Sequence, residues 1–259
     1  PMSGGTLVFP GARLAGASVS ELIDGEGVTF SAGVPTVWLM LLDYLAHCGN
    51  TLDGMSRVVC GGSAVPRSMT QAFEGQHGVR IIQDRGMTVM SPLGTVNTLM
   101  PEHRALPLEQ RRIFQTKQGR PPFGVEVRIV DDDGNRLPHD GVAFGELQVR
   151  GPWVIQSYFK DDESRLTEDG WFPTGDVATI DSQCYIHITD RSKDLIKSGG
   201  EWISSIDVEN TAMGHDDIVM AAVIGIPDER WDERPILIAV AAPDSHPTKE
   251  SVLEHLAGT

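Results

Sequence analysis

The chain has 259 residues, 40% of them hydrophobic and 22% charged, with a formal net charge of −15. That is an ordinary globular composition, long enough for one or two domains with a sizeable core. So acidic a balance argues against a nucleic-acid or anionic-membrane partner, because phosphate surfaces are bound by Lys/Arg-rich faces. No apolar run approaches the ~20 residues of a membrane-spanning helix. Cys48, Cys60 and Cys184 are odd in number and form no Cys-x-x-Cys pair, which suggests neither a disulfide framework nor a zinc site and fits a reducing cytoplasm. The N-terminus has neither the basic nor the apolar region of a signal peptide, and both ends read as cut.

In chain order, Ser18 or Ser20 caps a short helix and Val28–Phe30 reads as a strand. Pro35 opens a helix with near-helical apolar spacing (Trp38, Leu41, Leu42, Leu45) that ends near Gly49. A strand at Arg57–Cys60, a helix at Pro66–Gln76 and a strand at Val79–Ile82 follow. Strands alternating with helices predict an α/β layer with a mostly parallel sheet. From Val125 the pattern turns to short strands: 126–130, 145–150, Val177–Ile180 and Cys184–Thr189. They predict a small β subdomain, with Asp131–Asn135 as a hairpin turn; a calcium loop would need Gly where Arg136 stands. The last segment reads helix (Ile206–Met213), strand (Ile218–Gly225), strand (Pro235–Ala241) and helix (Lys249–Leu256), a compact α+β unit. The boundary is expected at Asp190, giving domains 1–189 and 190–259.

The residues suited to chemistry fall in three places. Gly61-Gly62-Ser63-Ala64 joins a strand to a helix, where small residues let a ring or phosphate approach the backbone; a plain tight turn is the other reading. Gln83-Asp84-Arg85-Gly86-Met87-Thr88-Val89-Met90-Ser91-Pro92 also follows a strand. Residues 171–202 hold Trp-Phe-Pro-Thr-Gly-Asp, in which Asp176 sits in a Gly-bounded turn and suits vicinal hydroxyls. Asp190-Arg191 and Lys197-Ser198-Gly199-Gly200-Glu201-Trp202 complete them, where a carboxylate, a guanidinium and bare N–H groups can meet a nucleotide.

Trp-Phe-x-Thr-Gly-Asp followed by Asp-Arg-x-Lys-Asp-x-Ile-Lys resembles the adenylate-forming superfamily of acyl-CoA synthetases, luciferases and peptide-synthetase adenylation domains. Gly-Ala-Arg-Leu-x-Gly-Ala-Ser at 11–18, Ser-Gly-Gly-Glu-Trp-Ile-Ser-Ser at 198–205 and Trp-Asp-Glu-Arg-Pro at 231–235 are similar to the fatty-acyl-CoA synthetase group, methylmercaptopropionate–CoA ligases included. The resemblance implies the back of the large AMP-binding domain followed by a truncated lid. It also implies a two-step acid–CoA ligase using ATP/AMP, Mg²⁺ and CoA on a small carboxylic acid.

By the same resemblance Gly61, Gly62, Ser63, Asp84, Arg85, Gly86, Met87, Thr88, Asp176 and Arg191 contact the nucleotide, with Thr88 at the α-phosphate and Asp176 on the ribose. Asp190 is the hinge, and Lys197, in the thioester-forming loop, is implied with Thr88 to be catalytic. Ser198, Gly199, Gly200 and Glu201 line the CoA path. Gly86 and Trp38 border the acyl pocket, Trp38 being equally readable as core. Two positions depart from the family: Arg85 replaces an aromatic, though a guanidinium can still stack on a base, and Val89 replaces the Glu that helps hold Mg²⁺, leaving no metal ligand there. The phosphate-gripping Thr-Ser-Gly-Thr-Thr-Gly-x-Pro-Lys run and the C-terminal lysine are missing, so the chain is expected to be an internal fragment, inactive alone, with a homodimer compatible. The alternative is a non-catalytic nucleotide- or acyl-binding relative, which Arg85 and Val89 favour.

Overall fold

The computed structural model describes residues 4–63, 65–161, 163–191, 195–199 and 201–258, and its packing divides at Asp84 into a unit of residues 1–84 and a unit of residues 85–259. In the first unit α1 (Gly16–Glu26), β1 (Phe30–Gly33), α2 (Pro35–Cys48), β2 (Arg57–Cys60) and α3 (Arg67–His77) alternate and lead into β3 (Arg80–Gly86). The strands are parallel, Phe30 facing Arg57 and Arg57 facing Arg80. Leu41, Leu45, Val58, Phe73 and Val79 are its apolar centre. Trp38 belongs to that centre too, at 2% exposure and edge-on to Phe73 with ring centroids 6.2 Å apart.

Two expectations shift here. Helix α1 begins at Gly16 after an uncapped Ala15, so Ser18 and Ser20 lie inside it and cap nothing. Burial decides this start: Val19 and Ile23 face the core, and Gly16 lies so near α2 that a Cβ would stand 2.2 Å from the Met40 carbonyl oxygen. Strand β1 begins two residues later than expected because pairing with β2 sets its register. Gly49, left-handed at φ 71°, ends α2 where the sequence placed its end.

In the second unit a 3-10 turn (Thr88–Met90), β4 (Leu93–Val96), α4 (Pro101–Arg104) and α5 (Leu108–Gln115) precede an antiparallel sheet, a stretch the sequence left unassigned. The sheet runs in the order β5 (Glu126–Val130), β6 (Phe144–Arg150), β7 (Phe172–Ile180), β8 (Ile186–Arg191). Ile129, Leu147, Ile180 and Ile186 are fully buried in its core. Asp131–Asn135 is a turn, as expected; the Asp131 carboxylate accepts from the Asp133 and Asn135 N–H groups.

Beyond it the hairpin β9 (Ile196–Ser198) and β10 (Glu201–Ile203) leads through α6 (Ser205–Ala212) to β11 (Ile218–Asp228), β12 (Asp232–Ala241) and α7 (Lys249–Ala257). These strands form a second antiparallel sheet in the order β10-β9-β12-β11. The fold is therefore α/β with a small β sheet and an α+β C-terminal part, as the sequence implied.

Candidate nucleotide site

Asp176 and Arg191 come from two motifs fifteen residues apart, and the β7–β8 register makes them direct partners across the ladder. Side chains opposed in an antiparallel pair are close neighbours, and here Arg191 Nε lies 3.3 Å from Asp176 Oδ1. The Asp176 side chain is 4% exposed and that of Arg191 57%, so a buried carboxylate meets an accessible guanidinium. Arg85, at the end of β3, pairs with the other carboxylate oxygen, Oδ2.

The sequence placed Asp176 in a turn before a strand; the structure places it inside β7. Gly175 is the reason both descriptions hold in part. Its φ of +71° is open to glycine and costly for other residues, so the strand bends there without ending. The Asp176 N–H donates to Thr174 Oγ1 at 3.2 Å, and Thr174 Oγ1 donates to the Leu147 carbonyl of β6 at 2.8 Å. Trp171 lies 4.5 Å from the guanidinium carbon of Arg128 and 4.5 Å from that of Arg150, while Phe172 is buried in the sheet core. Trp, Phe and Thr of this motif thus hold the strand that presents the acid.

Arg85 has a different setting from the stacking role read for it. Its side chain is 10% exposed, Nη2 donates to Met87 Sδ at 3.6 Å, and Nη1 is buried without a hydrogen-bond partner among the described residues. Burial, and then the neighbouring Arg191 charge, push its pKa down to about 10. Gly86 is tight for a steric reason, since a Cβ would come 2.3 Å from the Pro92 carbonyl oxygen. That oxygen accepts from the Met87 N–H at 2.8 Å, closing the loop that carries Thr88, whose side chain is exposed.

Val89 turns inward. At 7% exposure it packs with Met90, Val125 and Phe172. A hard cation needs oxygen ligands, so this side chain does not fit Mg²⁺, and no metal is assigned residues here.

In the first unit Gly61 lies against Asp84: a Cβ on Gly61 would stand 2.1 Å from Asp84 Oδ1 and 2.9 Å from its carbonyl oxygen. Burial raises the Asp84 carboxyl above the ordinary range. Gly62 and Ser63 are exposed after β2; Ala64 lies outside the described residues.

Ser198 and Glu201 face each other at the end of the β9–β10 hairpin, and Lys197 faces Trp202. Gly199, at φ +62°, donates its N–H to the Trp231 carbonyl oxygen at 2.9 Å, and its Cα passes so near the ring that a Cβ would stand 2.6 Å from it. The Ser-Gly-Gly and Trp-Asp-Glu-Arg-Pro motifs are therefore spatial neighbours. The Lys197 N–H donates to Glu233 Oε2 at 2.9 Å. Gly200, the Glu201 and Trp202 side chains, and residues 192–194 lie outside the described residues.

Asp190 is 2% exposed; Oδ1 accepts from its neighbour Arg191 and Oδ2 from the Ser205 N–H, each at 2.8 Å. The sequence missed three contributors. Arg85 as the partner of Asp176 was masked by its likeness to a stacking position. Thr174 and Ser205 stand inside the quoted motifs, but sequence reasoning assigned neither a role of its own.

The AMP-binding enzyme model matches residues 1–159 and the AMP-binding enzyme C-terminal domain model residues 207–259. The chain is 52% identical over 257 residues to the 3-methylmercaptopropionyl-CoA ligase of Ruegeria lacuscaerulensis, covering 99% of this chain and 48% of that protein. It is 50% identical over 256 residues to the medium-chain-fatty-acid–CoA ligase of Ectopseudomonas oleovorans, covering 99% and 47%. Among solved structures, an anthranilate CoA ligase in complex with anthranoyl-AMP superposes with a TM-score of 0.81 at 26% identity, covering 97% of this chain and 47% of that one. The chain spans about half the length of these relatives. With 159 of its residues inside one family model and its fold shared throughout, the chain belongs to the AMP-binding enzyme family.

Proposed function

We propose that the chain is the nucleotide- and CoA-handling part of an AMP-forming acid–CoA ligase. A carboxylate and ATP give an acyl-adenylate and pyrophosphate, and the CoA thiol then displaces AMP. The observation that carries this reading is the pairing of Asp176 with Arg191 across β7 and β8, since it joins an acid suited to a ribose diol with a guanidinium suited to phosphate. The names of relatives at about 50% identity support the same chemistry.

In this mechanism Asp176 orients the nucleotide through the ribose. Arg191, half in solvent, closes on ribose or phosphate, and Thr88 offers its hydroxyl to the α-phosphate; fixed donors aimed at developing charge stabilise such transition states. Asp190 is the hinge between residues 1–189 and 190–259, and rotation there would bring Lys197 and the Ser198–Glu201 hairpin to the thioester step. The three free cysteines fit a cytoplasmic setting.

A chimera tests the proposal, with the chain replacing the matching half of the Ruegeria ligase. The expected result is AMP release that depends on acid, ATP and CoA across an acid panel. A folded chimera that binds AMP but forms no acyl-CoA would instead favour a non-catalytic nucleotide-binding relative, the reading to which Arg85 and Val89 point.

A further inference from the structure

Asp176 meets positive charge at both carboxylate oxygens, Arg191 at Oδ1 and Arg85 at Oδ2. The two partners are unequal. Arg191 can swing into solvent, its side chain being 57% exposed, whereas Arg85 is nine-tenths buried and has nowhere comparable to go. A diol recognised by a carboxylate donates both hydroxyls to its oxygens. Each oxygen already has a guanidinium against it, so a diol that takes both competes with Arg191 at Oδ1 and with Arg85 at Oδ2, and the buried guanidinium loses its counter-charge if it is displaced. Arg85 is poorly placed to bear that loss, because Nη1 already lacks a hydrogen-bond partner among the described residues and Arg191 repels it.

We propose that Arg85 is a specificity-determining residue that occupies the diol-binding face of Asp176, so that neutral nucleosides are excluded and only a nucleoside carrying an anion is admitted. The inference rests on the reading of Asp176 as the ribose-binding acid. Two guanidinium groups against one carboxylate leave a net positive charge, and a phosphate supplies the anion that the displaced guanidinium needs. A neutral nucleoside offers no such anion.

Calorimetric titration of the 259-residue chain with adenosine and with AMP tests it. The proteins are the parent, Arg85→Ala, Arg85→Gln as a bulkier replacement should Ala misfold, and Arg85→Ala combined with Asp176→Asn. Far-UV circular dichroism checks the fold of each. The parent is expected to bind AMP at least tenfold more tightly than adenosine. Removing Arg85 should tighten adenosine at least tenfold and shrink the AMP preference, and adding Asp176→Asn should abolish the gain. If the parent binds AMP but loss of Arg85 leaves adenosine no tighter, Arg85 does not occupy the subsite, while the nucleotide reading stands. If no protein binds either ligand, both readings fall.

Discussion

The Asp190 carboxylate accepts the backbone N–H of Ser205 at 2.8 Å, so the residue at the end of β8 also satisfies the first turn of α6. Helix N-termini leave N–H groups without intrahelical partners, and a nearby carboxylate is favoured there by charge as well as geometry. Ser204 adds the usual cap, accepting from the Asp207 N–H at 3.1 Å. The proposed hinge residue is therefore tied to the element that would move. Rotation about Asp190 has either to carry this bond along or to break it.

Asp190→Ala should lower the stability of the chain by about 2 kcal/mol, the scale for a lost cap and a buried hydrogen bond to a charged group. Urea unfolding followed by circular dichroism measures it. A change under about 0.5 kcal/mol would mean that water replaces the carboxylate at the Ser205 N–H.

Val89→Glu should destabilise rather than build a metal site. The side chain is 7% exposed among Met90, Val125 and Phe172, and an unpaired carboxylate placed there is costly, by about 3 kcal/mol or more. A lower denaturation midpoint with no Mg²⁺-dependent recovery is expected. Stabilisation by millimolar Mg²⁺ in the variant alone would show that residue 89 reaches a cation after all.

Cys60 should be unreactive in the folded chain. Burial, reinforced by Asp84, pushes its thiol up to about 12, and the thiolate is the reactive form. Labelling with a disulfide reagent at pH 8, read by mass spectrometry, should modify exposed Cys48 and spare Cys60; equal rates would contradict this. The folded pKa is raised, so the thiol's contribution to stability is intact below the unfolded value of about 8.5 and is lost as pH rises toward the folded value. Cys60→Ala should flatten that alkaline decline.

The residues proposed for the site lie in short motifs with fixed order, which is why the sequence singles them out. Asp176, Arg191, Gly86 and the Ser-Gly-Gly loop could be picked out by resemblance, and α2 by its apolar spacing between Pro35 and Gly49. What stayed hidden depends on contacts remote in sequence. Nothing local tells that Arg85 meets Asp176 across ninety residues, that Gly199 lies under Trp231, or that Gly175 bends a strand instead of ending it. The start of α1 was misread because a serine next to an apolar run looks like a cap, and only the close approach of Gly16 to Met40 shows where the helix begins. The segment from Thr88 to Gln115 has short elements held by tertiary bonds such as Tyr185 Oη to the Thr98 carbonyl at 2.9 Å, which no window of sequence reports.

The most direct test of the account is a crystal structure of the chain with a hydrolysis-resistant acyl-adenylate analogue, an acyl sulfamoyl adenosine. The account predicts both ribose hydroxyls within hydrogen-bonding distance of the Asp176 carboxylate, Arg191 beside the sulfamoyl group and Arg85 drawn away from Oδ2. A nucleoside bound with its ribose elsewhere, Asp176 still paired with Arg85, would contradict it.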